Sequence, residues 1–266
     1  MSSFFTDLLF ADRSGREETT AFLPRLIGWL LALLLVTLVF TFAFQQLQYG
    51  WNWDAVFAYR RKFLLGWLMT LAISAGALAT SLLIGLAAAM ARRCPLLAAR
   101  SLATLYVELI RGTPLLVQIL IFFYVVADAF GISNRYLVGV LTLSLFAGAY
   151  ISEIIRAGIE SVGESQLESA RAIGLTRWQT YRYIVFPQVL RRLLPPLAGQ
   201  FASIIKDSSL LSIIAVSEFT LNAQEVNAFT YSTLESYLPL ALGYLLLTLP
   251  ISLGSRALER KYCYAT

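Results

Sequence analysis

Histidine is absent from this sequence of 266 residues, and cysteine occurs only twice. Without an imidazole there is no Ser-His-Asp triad, no Cys-His dyad, no H-E-x-x-H zinc site and no haem held through His. Cys94 and Cys263 stand far apart, outside any C-x-x-C spacing. They offer neither a metal cage nor a disulfide framework and read as reduced bystanders. Charge is scarce too. Charged residues make up 14% and hydrophobic ones 58%, against about 25% and about 45–50% in soluble domains. The scarcity is concentrated: Leu26–Trp53, Phe63–Ala91 and Ser236–Ser255 carry no charge at all. A helix needs about 20 such residues to span a bilayer. The fold class is therefore all-α, a polytopic membrane protein.

Six spans fit the pattern, at about residues 24–45, 63–91, 107–127, 136–155, 195–217 and 237–256. The first is too long for the apolar core of a signal peptide and lacks an A-x-A-like site after it, so it reads as a retained anchor. There is no internal repeat and no long polar stretch that would make a soluble domain. The formal charge is +5, and the 21 bases are unevenly placed. Arg92, Arg93 and Arg100 follow span two; Arg156, Arg171, Arg177, Arg182, Arg191 and Arg192 follow span four; Arg256, Arg260 and Lys261 close the chain. Between spans five and six there are Glu218, Glu225 and Glu235 and no base. Bases favour the cytoplasmic side, which predicts a multi-pass protein with the large basic loop and both termini cytoplasmic. Arg60, Arg61 and Lys62 dissent, since they fall outside; an interfacial helix near Trp51 and Trp53 would hold them.

The loop after span four carries the most information. Ser165-x-x-Glu168 has capping-box spacing, which predicts a short helix starting near Ser165. Leu167, Ala170 and Ile173 fall on one face of it, and Gly174 is a natural stop. Trp178, Tyr181, Ile184 and Val185 form a second stripe that Pro187 interrupts. Periodicity leaves two readings open: a surface loop with interfacial helices, or a docking element for a cytoplasmic partner.

The same residues carry a family resemblance. Glu168-Ser169-Ala170, then Gly174 after three residues, then Ile184-x-Phe186-Pro187 after nine, is similar to the E-A-A…G…I-x-L-P pattern of the membrane subunits of ABC importers. Ser169 and Phe186 are the departures. Three further stretches resemble the polar amino acid permeases, the histidine/glutamine/arginine type, in the expected order: Arg111-Gly-Thr-Pro-Leu-Leu-Val-Gln118, Gly148 to Ile159 around Glu153 and Arg156, and Lys206-Asp207-Ser208-Ser209-Leu210-Leu211. The resemblance covers about residues 64–260. It divides the chain into an extra N-terminal helix with its flanks (1–62), a transmembrane domain (63–260) with a coupling loop at about 160–190, and a tail (261–266). Many such permeases have five spans, so span one looks like an addition.

The resemblance implies a transport subunit rather than an enzyme. Its coupling helix, with Glu168, Ser169, Ala170, Arg171, Gly174 and Pro187, would enter a groove on a cytoplasmic ATPase dimer. Other implied partners are a second permease subunit, identical or homologous, and an external amino acid binding protein. ATP and Mg would be used by the ATPase; none is expected on this chain, which lacks G-x-x-x-x-G-K-[ST]. No nucleic acid is expected. A stand-alone secondary transporter is the alternative, though the inverted repeats of that class are not seen.

Intramembrane charges cost about 2.5–3.5 kcal/mol at a helix centre, so each needs a reason. Gln118, Glu153, Lys206, Asp207, Ser208 and Ser209 are the candidates to border the substrate path. The competing expectations are structural: Glu153 as the partner of Lys206, or a break in the helix near the cytoplasmic interface, and Glu108 with Arg111 as an interfacial i, i+3 pair. Ala72, Gly76, Ser81, Gly85 and Ala89 give span two a row of small residues, read as a packing face.

Overall fold

A computed structural model describes residues 22–46 and 49–263, all helical or irregular. The chain divides into two units, Met1–Trp51 and Asn52–Thr266.

In the first unit, α1 (Phe22–Gln45) is a single apolar helix. Over Leu26–Gln45 it buries none of its residues. The hydroxyls of Thr37 and Thr41 donate back to Leu33 O and Thr37 O, each at 2.8 Å, so these side chains present no unsatisfied donor. Aromatic rings gather at its end, where Phe44 and Trp51 lie 6.2 Å apart and Tyr49 meets Trp51 edge-on at 5.4 Å. Such rings suit a membrane–water boundary.

The second unit is built on two long helices, α3 (Arg60–Ala91) and α6 (Arg135–Glu160), with the short α2 (Trp53–Ala58) ahead of them. Small residues let their backbones approach. A Cβ on Gly85 would lie 2.6 Å from Ile151 Cγ2, and one on Gly148 2.8 Å from Ile84 Cγ2. Thr80 and Ser144 bond hydroxyl to hydroxyl across the same seam. In lipid, where apolar side chains gain nothing by leaving solvent, this close packing and bonding holds helices together. The packing face of α3 is shifted from the expected row. Ser81, Gly85 and Ala89 are buried on it, Gly76 is only partly covered, and Ala72 is exposed; Gly66, Thr70, Ser74 and Ala77 take their place. The reason is that helical faces repeat every 3.6 residues, so a row spaced at four or five residues drifts off the seam.

Three features depart from straight spans joined by loops. The third is not one straight helix: α4 (Leu97–Gly112) and α5 (Leu115–Ile121), the latter continued by a π-helical turn at Phe122–Ala127, meet at 112°. Pro114 causes the break. It has no N–H to continue the helix, and it forces Thr113 into an extended conformation, φ −123° and ψ 148°. The fifth span also breaks. After the coupling segment comes α9 (Phe186–Asp207), which gives way to a 3-10 helix at Ser208–Ile214 ending in Ala215 with φ 58°. Among the described residues, four single helices are long and apolar enough to cross a membrane, and the bent α4–α5 pair makes up to five if it counts as one span. Finally, the acidic stretch before span six is not an exposed loop. It forms α10 (Phe219–Thr230), packed against the start of α3 so closely that a Cβ on Gly66 would lie 2.9 Å from Phe219 Cα. Then α11 (Thr233–Cys263) runs back along α9, and Ser255 Oγ donates to Pro195 O at 3.0 Å.

The core sits where these pieces meet. Ile73 and Ala77 of α3, Leu115 and Ile119 of α5, Leu143 and Ala147 of α6, and Leu211 and Ile214 of the 3-10 helix are buried together. The α6 C-terminus with Arg92, Arg93 and the 161–192 segment makes a basic end; the starts of α3, α6 and α11 lie at the opposite end.

Candidate functional site: a projecting helix and the ion-paired end of the bundle

The segment after α6 projects as a helix–turn–helix. Here α7 (Glu164–Ala172) is followed by α8 (Arg177–Thr180), a π-helical turn at Tyr181–Val185 and then α9 without a gap. The helix expected near Ser165 is present, but its cap is not the expected one. Gly163 is the N-cap and makes no side-chain bond. A capping box does exist, eleven residues on: Thr176 Oγ1 accepts from Gln179 N, and Gln179 Oε1 accepts from Thr176 N. The spacing rule found the right kind of signal at the wrong serine or threonine.

The end of α7 is a full Schellman stop. Gly174 N donates to Arg171 O and Leu175 N to Ala170 O, both at 3.0 Å, with Gly174 at φ 78°. A side chain there would touch nothing within 4 Å, so the need for glycine comes from the backbone alone. Pro187 interrupts nothing. It stands in the first turn of α9, where a missing N–H is tolerated, and the chain reaches it through the π-helical turn.

Only a narrow strip of this segment is anchored. Ala170 is buried, and Leu167 packs on the cluster of Val162, Val185 and Val189 with Ile159 and Leu193. Gln188 Nε2 donates to Gln166 Oε1, a further tie from α9 to α7. Arg192 reaches the carbonyl of Ser161. Glu168, Ser169 and Arg171 point to solvent. So does Ile173, at 74% exposure, which removes it from the face shared by Leu167 and Ala170; as the last residue before the turn it no longer follows the helical repeat. Trp178 is 75% exposed, and Tyr181 is exposed as well, so only Ile184 and Val185 of the second stripe face inward. Between α6, α7 and α8 lies a cavity of about 630 Å³, bordered by Glu160, Leu167, Arg171, Arg177 and Tyr181.

Above this element, Glu153 gathers three arginines from three helices. Arg92 follows α3 and ion-pairs with it; Arg111 of α4 lies 3.2 Å from Oε2; Arg156 of α6 donates to the same oxygen at 2.9 Å and also reaches Glu160. Arg111 additionally covers the ring of Tyr150, 5.5 Å from its centre. Two expected pairs are thus replaced. Glu153 bonds these arginines and not Lys206, and Arg111 pairs with Glu153 and not Glu108. Sequence spacing finds partners on one helix, whereas these come from helix ends brought together by packing.

The expected path residues fall in separate places. Gln118 is buried just past the α4–α5 bend, where its Nε2 donates to Ile110 O (2.7 Å), Thr113 O (3.1 Å) and Thr113 Oγ1 (2.8 Å). It satisfies carbonyls that Pro114 leaves without helical donors. Its Oε1 is buried with no partner. Lys206 is exposed and Asp207 half-buried, at the point where α9 becomes 3-10. Ser208 and Ser209 donate back to Ile205 O and Lys206 O at 2.8 and 2.6 Å. Among the described residues no cluster of acids, cysteines or histidines is placed to hold a metal ion. Cys94 is a free, partly covered thiol; the side chain of Cys263 lies outside the described residues.

One set of residues went unnoticed in the sequence. Glu218 is fully buried, and its carboxylate accepts from Thr220 N (2.9 Å), Leu221 N (2.8 Å), Tyr244 Oη (2.9 Å) and Thr70 Oγ1 (3.4 Å). It caps α10 while tying α3 to α11. An acid in a charge-poor chain followed by Phe-Thr-Leu was the available signal, since Glu can act as an N-terminal cap.

An exposed helix closed by a Schellman glycine, beneath a bundle of apolar helices, is what the family comparison then accounts for. Residues 81–263 match the family described as binding-protein-dependent transport system inner membrane component. The chain belongs to that family. Its relatives include the glutamine transport system permease protein GlnP of Escherichia coli (strain K12), 38% identical over 79% of this chain and 97% of the relative. The L-cystine transport system permease protein TcyB of Bacillus subtilis (strain 168) is 39% identical over 68% of this chain and 77% of its own. Among solved structures, an amino acid ABC transporter crystallised with histidines superposes with a TM-score of 0.75 at 33% identity, over 80% of this chain and 100% of that one. The methionine ABC transporter MetNI shares the fold, with a TM-score of 0.65 at 16% identity. The chain is thus a membrane-spanning permease subunit of an ABC importer. Such a subunit works with an ATPase and a substrate-binding protein, and the reading as a lone secondary transporter falls away.

Proposed function

We propose that this chain forms the translocation path of an importer for polar amino acids of the glutamine type and couples it to a separate ATPase. The observation that carries the reading is α7. It is exposed on its Glu168, Ser169 and Arg171 side, anchored through Leu167 and Ala170, and continuous through Ser161–Gly163 with α6. Relatives named for glutamine transport match almost their full length.

In this reading α7 enters the groove of a cytoplasmic ATPase dimer, and Gly174 and Pro187 fix how the chain leaves it. ATP and Mg act on the ATPase. Force applied to α7 reaches α6 directly, and through Glu153 it reaches α3 and α4, because Arg92 and Arg111 share that carboxylate. A second permease subunit, the same chain or a similar one, completes a two-fold complex. The basic end is cytoplasmic, and both termini lie on that side of the inner membrane. Lys206, Asp207, Ser208 and Ser209 line the path where the helix changes form, since a helix that switches geometry beside polar side chains suits a solute better than a sealed apolar span. Gln118 and Glu153 border it from the bend and the ion-paired end, with their protein partners already in place.

The test is reconstitution of the chain with its ATPase and binding protein in liposomes. Uptake of L-glutamine is expected only with ATP, Mg and binding protein together. Uptake by the chain alone on a sodium or proton gradient overturns the reading.

A further inference from the structure

Arg60 violates the charge rule that orients the rest of the chain, and coupling gives it no role. The interfacial helix expected beside it is present as α2, tied to the start of α11 by a hydrogen bond from Asn52 N to Glu235 Oε1. Val56 is its buried residue, while Trp53 and Phe57 are exposed. Arg60 is the first residue of α3. Its guanidinium lies over the Phe57 ring, 4.9 Å from the centre, and donates from Nη1 to Phe57 O at 3.3 Å. Nearby Lys62 differs, since Glu225 pairs with it.

Around Arg60 opens a hollow of about 400 Å³, bordered by Trp53, Asp54, Phe57, Phe63 and Pro239. Its walls are mostly rings, and the two charges on it are Asp54 and Arg60. Neither forms an ion pair with the other or with any further residue among those described. Phe63 opens the charge-free run of α3. One turn further in, Leu64 and Leu68 of α3 and Leu242 and Leu246 of α11 are all exposed. Trp67 Nε1 donates to Gly243 O at 3.2 Å and joins the two helices there. The hollow therefore heads an apolar seam, at the depth where a helix leaves water for hydrocarbon.

Resting on the membrane orientation given with the transport reading above, we propose that this hollow seats the headgroup of one phosphatidylethanolamine from the external leaflet. Its phosphate lies on Arg60, its primary ammonium on Asp54, and an acyl chain follows the seam between α3 and α11. A guanidinium has five donors; Phe57 O takes one, and the others are left for phosphate oxygens. The faces of Trp53 and Phe57 give the ammonium a second attraction beside Asp54. Free phosphate would leave Asp54 unmatched and gain nothing from the seam. A lipid without an ammonium would leave Asp54 unmatched as well. Arg60 then ceases to be an exception, because a lipid phosphate is its counter-charge.

The test counts lipid on the complete complex by native mass spectrometry, after exchange in detergent with phosphatidylethanolamine or phosphatidylglycerol. Wild type is expected to hold one phosphatidylethanolamine about threefold better than phosphatidylglycerol, the size of one exposed charge pair. Asp54→Asn is expected to erase that preference. Arg60→Gln is expected to lower retention of both lipids about fivefold, and Arg60→Lys to stay within about twofold of wild type. Both side chains are exposed, so the variants are expected to keep the wild-type melting temperature. Equal retention in Arg60→Gln and wild type overturns the seat. So does a wild type without preference, or a preference that survives Asp54→Asn. Displacement of the lipid by excess inorganic phosphate also overturns it, and marks a plain anion site. The lipid count does not depend on transport. Uptake that needs no ATP overturns the transport reading and leaves the seat to these values alone.

Discussion

Two connecting segments of similar length, 161–176 and 215–235, lie at opposite ends of the same bundle and were built in opposite ways. The first holds its helix out on a strip made by Leu167, Ala170 and the valines beneath them, and leaves Glu168, Ser169 and Arg171 in solvent. The second folds its helix in, burying Phe219, Asn222, Ala223 and Val226 and drawing Glu218 and Glu235 with them. An exposed helix fixed at few points can be gripped and moved as a lever. A buried one with a fully bonded carboxylate keeps the helices around it in register. Built in these ways, one end suits motion and the other alignment.

That contrast breaks in a definite order. The largest effect belongs to Glu218→Leu, which strips the cap of α10, leaving Thr220 N and Leu221 N without their acceptor, and takes the carboxylate from the Thr70 hydroxyl, while the Tyr244 hydroxyl keeps Thr220 Oγ1 at 2.9 Å. A loss of about 3 kcal/mol is expected, since each buried unsatisfied donor costs about 1–3 kcal/mol. Denaturation of the purified complex in detergent would show it, and a wild-type midpoint would refute the framing role. Next comes Gly85→Ala, whose new methyl would meet Ile151 at 2.6 Å; overpacking of this kind costs about 1–3 kcal/mol and should lower both stability and uptake. Gly174→Val sharpens the comparison further. Left-handed backbone at a β-branched residue costs about 1–2 kcal/mol, yet open space surrounds the site. The melting temperature should fall by only a few degrees, while glutamine uptake per ATP hydrolysed falls severalfold. If uptake and coupling stay normal, the lever assignment is wrong. The smallest effect is Thr176→Ala, which removes one capping box for about 1 kcal/mol. Limited proteolysis between α7 and α8 should quicken, with assembly unaffected.

The projecting end was largely legible in the sequence, because its signals are local. Glu168, Gly174 and Pro187 act through spacing along one stretch of chain, and Gly174 needs only its own backbone angle. Even so, Ser165 was a false cap, since hydroxyl and carboxyl spacing alone does not say which residue actually begins a helix. The alignment end was illegible for the converse reason. Nothing local marks Glu218 as buried; its partners Thr70 and Tyr244 lie far off in sequence, and an acid between apolar spans is ordinarily counted as solvent-facing. The Glu153 cluster shows both sides at once. Arg156 is its neighbour by helical spacing, while Arg92 and Arg111 reach it only because α3 and α4 end there. The bend at Pro114 lay in between: a proline after Thr113 marks a break, but not its angle.

The bend changes how thick the obstacle to a solute is. At 1.5 Å per residue, Leu115–Ala127 reaches roughly 20 Å, while the oily interior of a bilayer is about 30 Å deep. In the transport reading proposed above, a wall made partly of so short a piece leaves the rest of that depth to its longer neighbours, and a seal formed at α5 itself is a thin septum that small rotations of the helices around it suffice to breach.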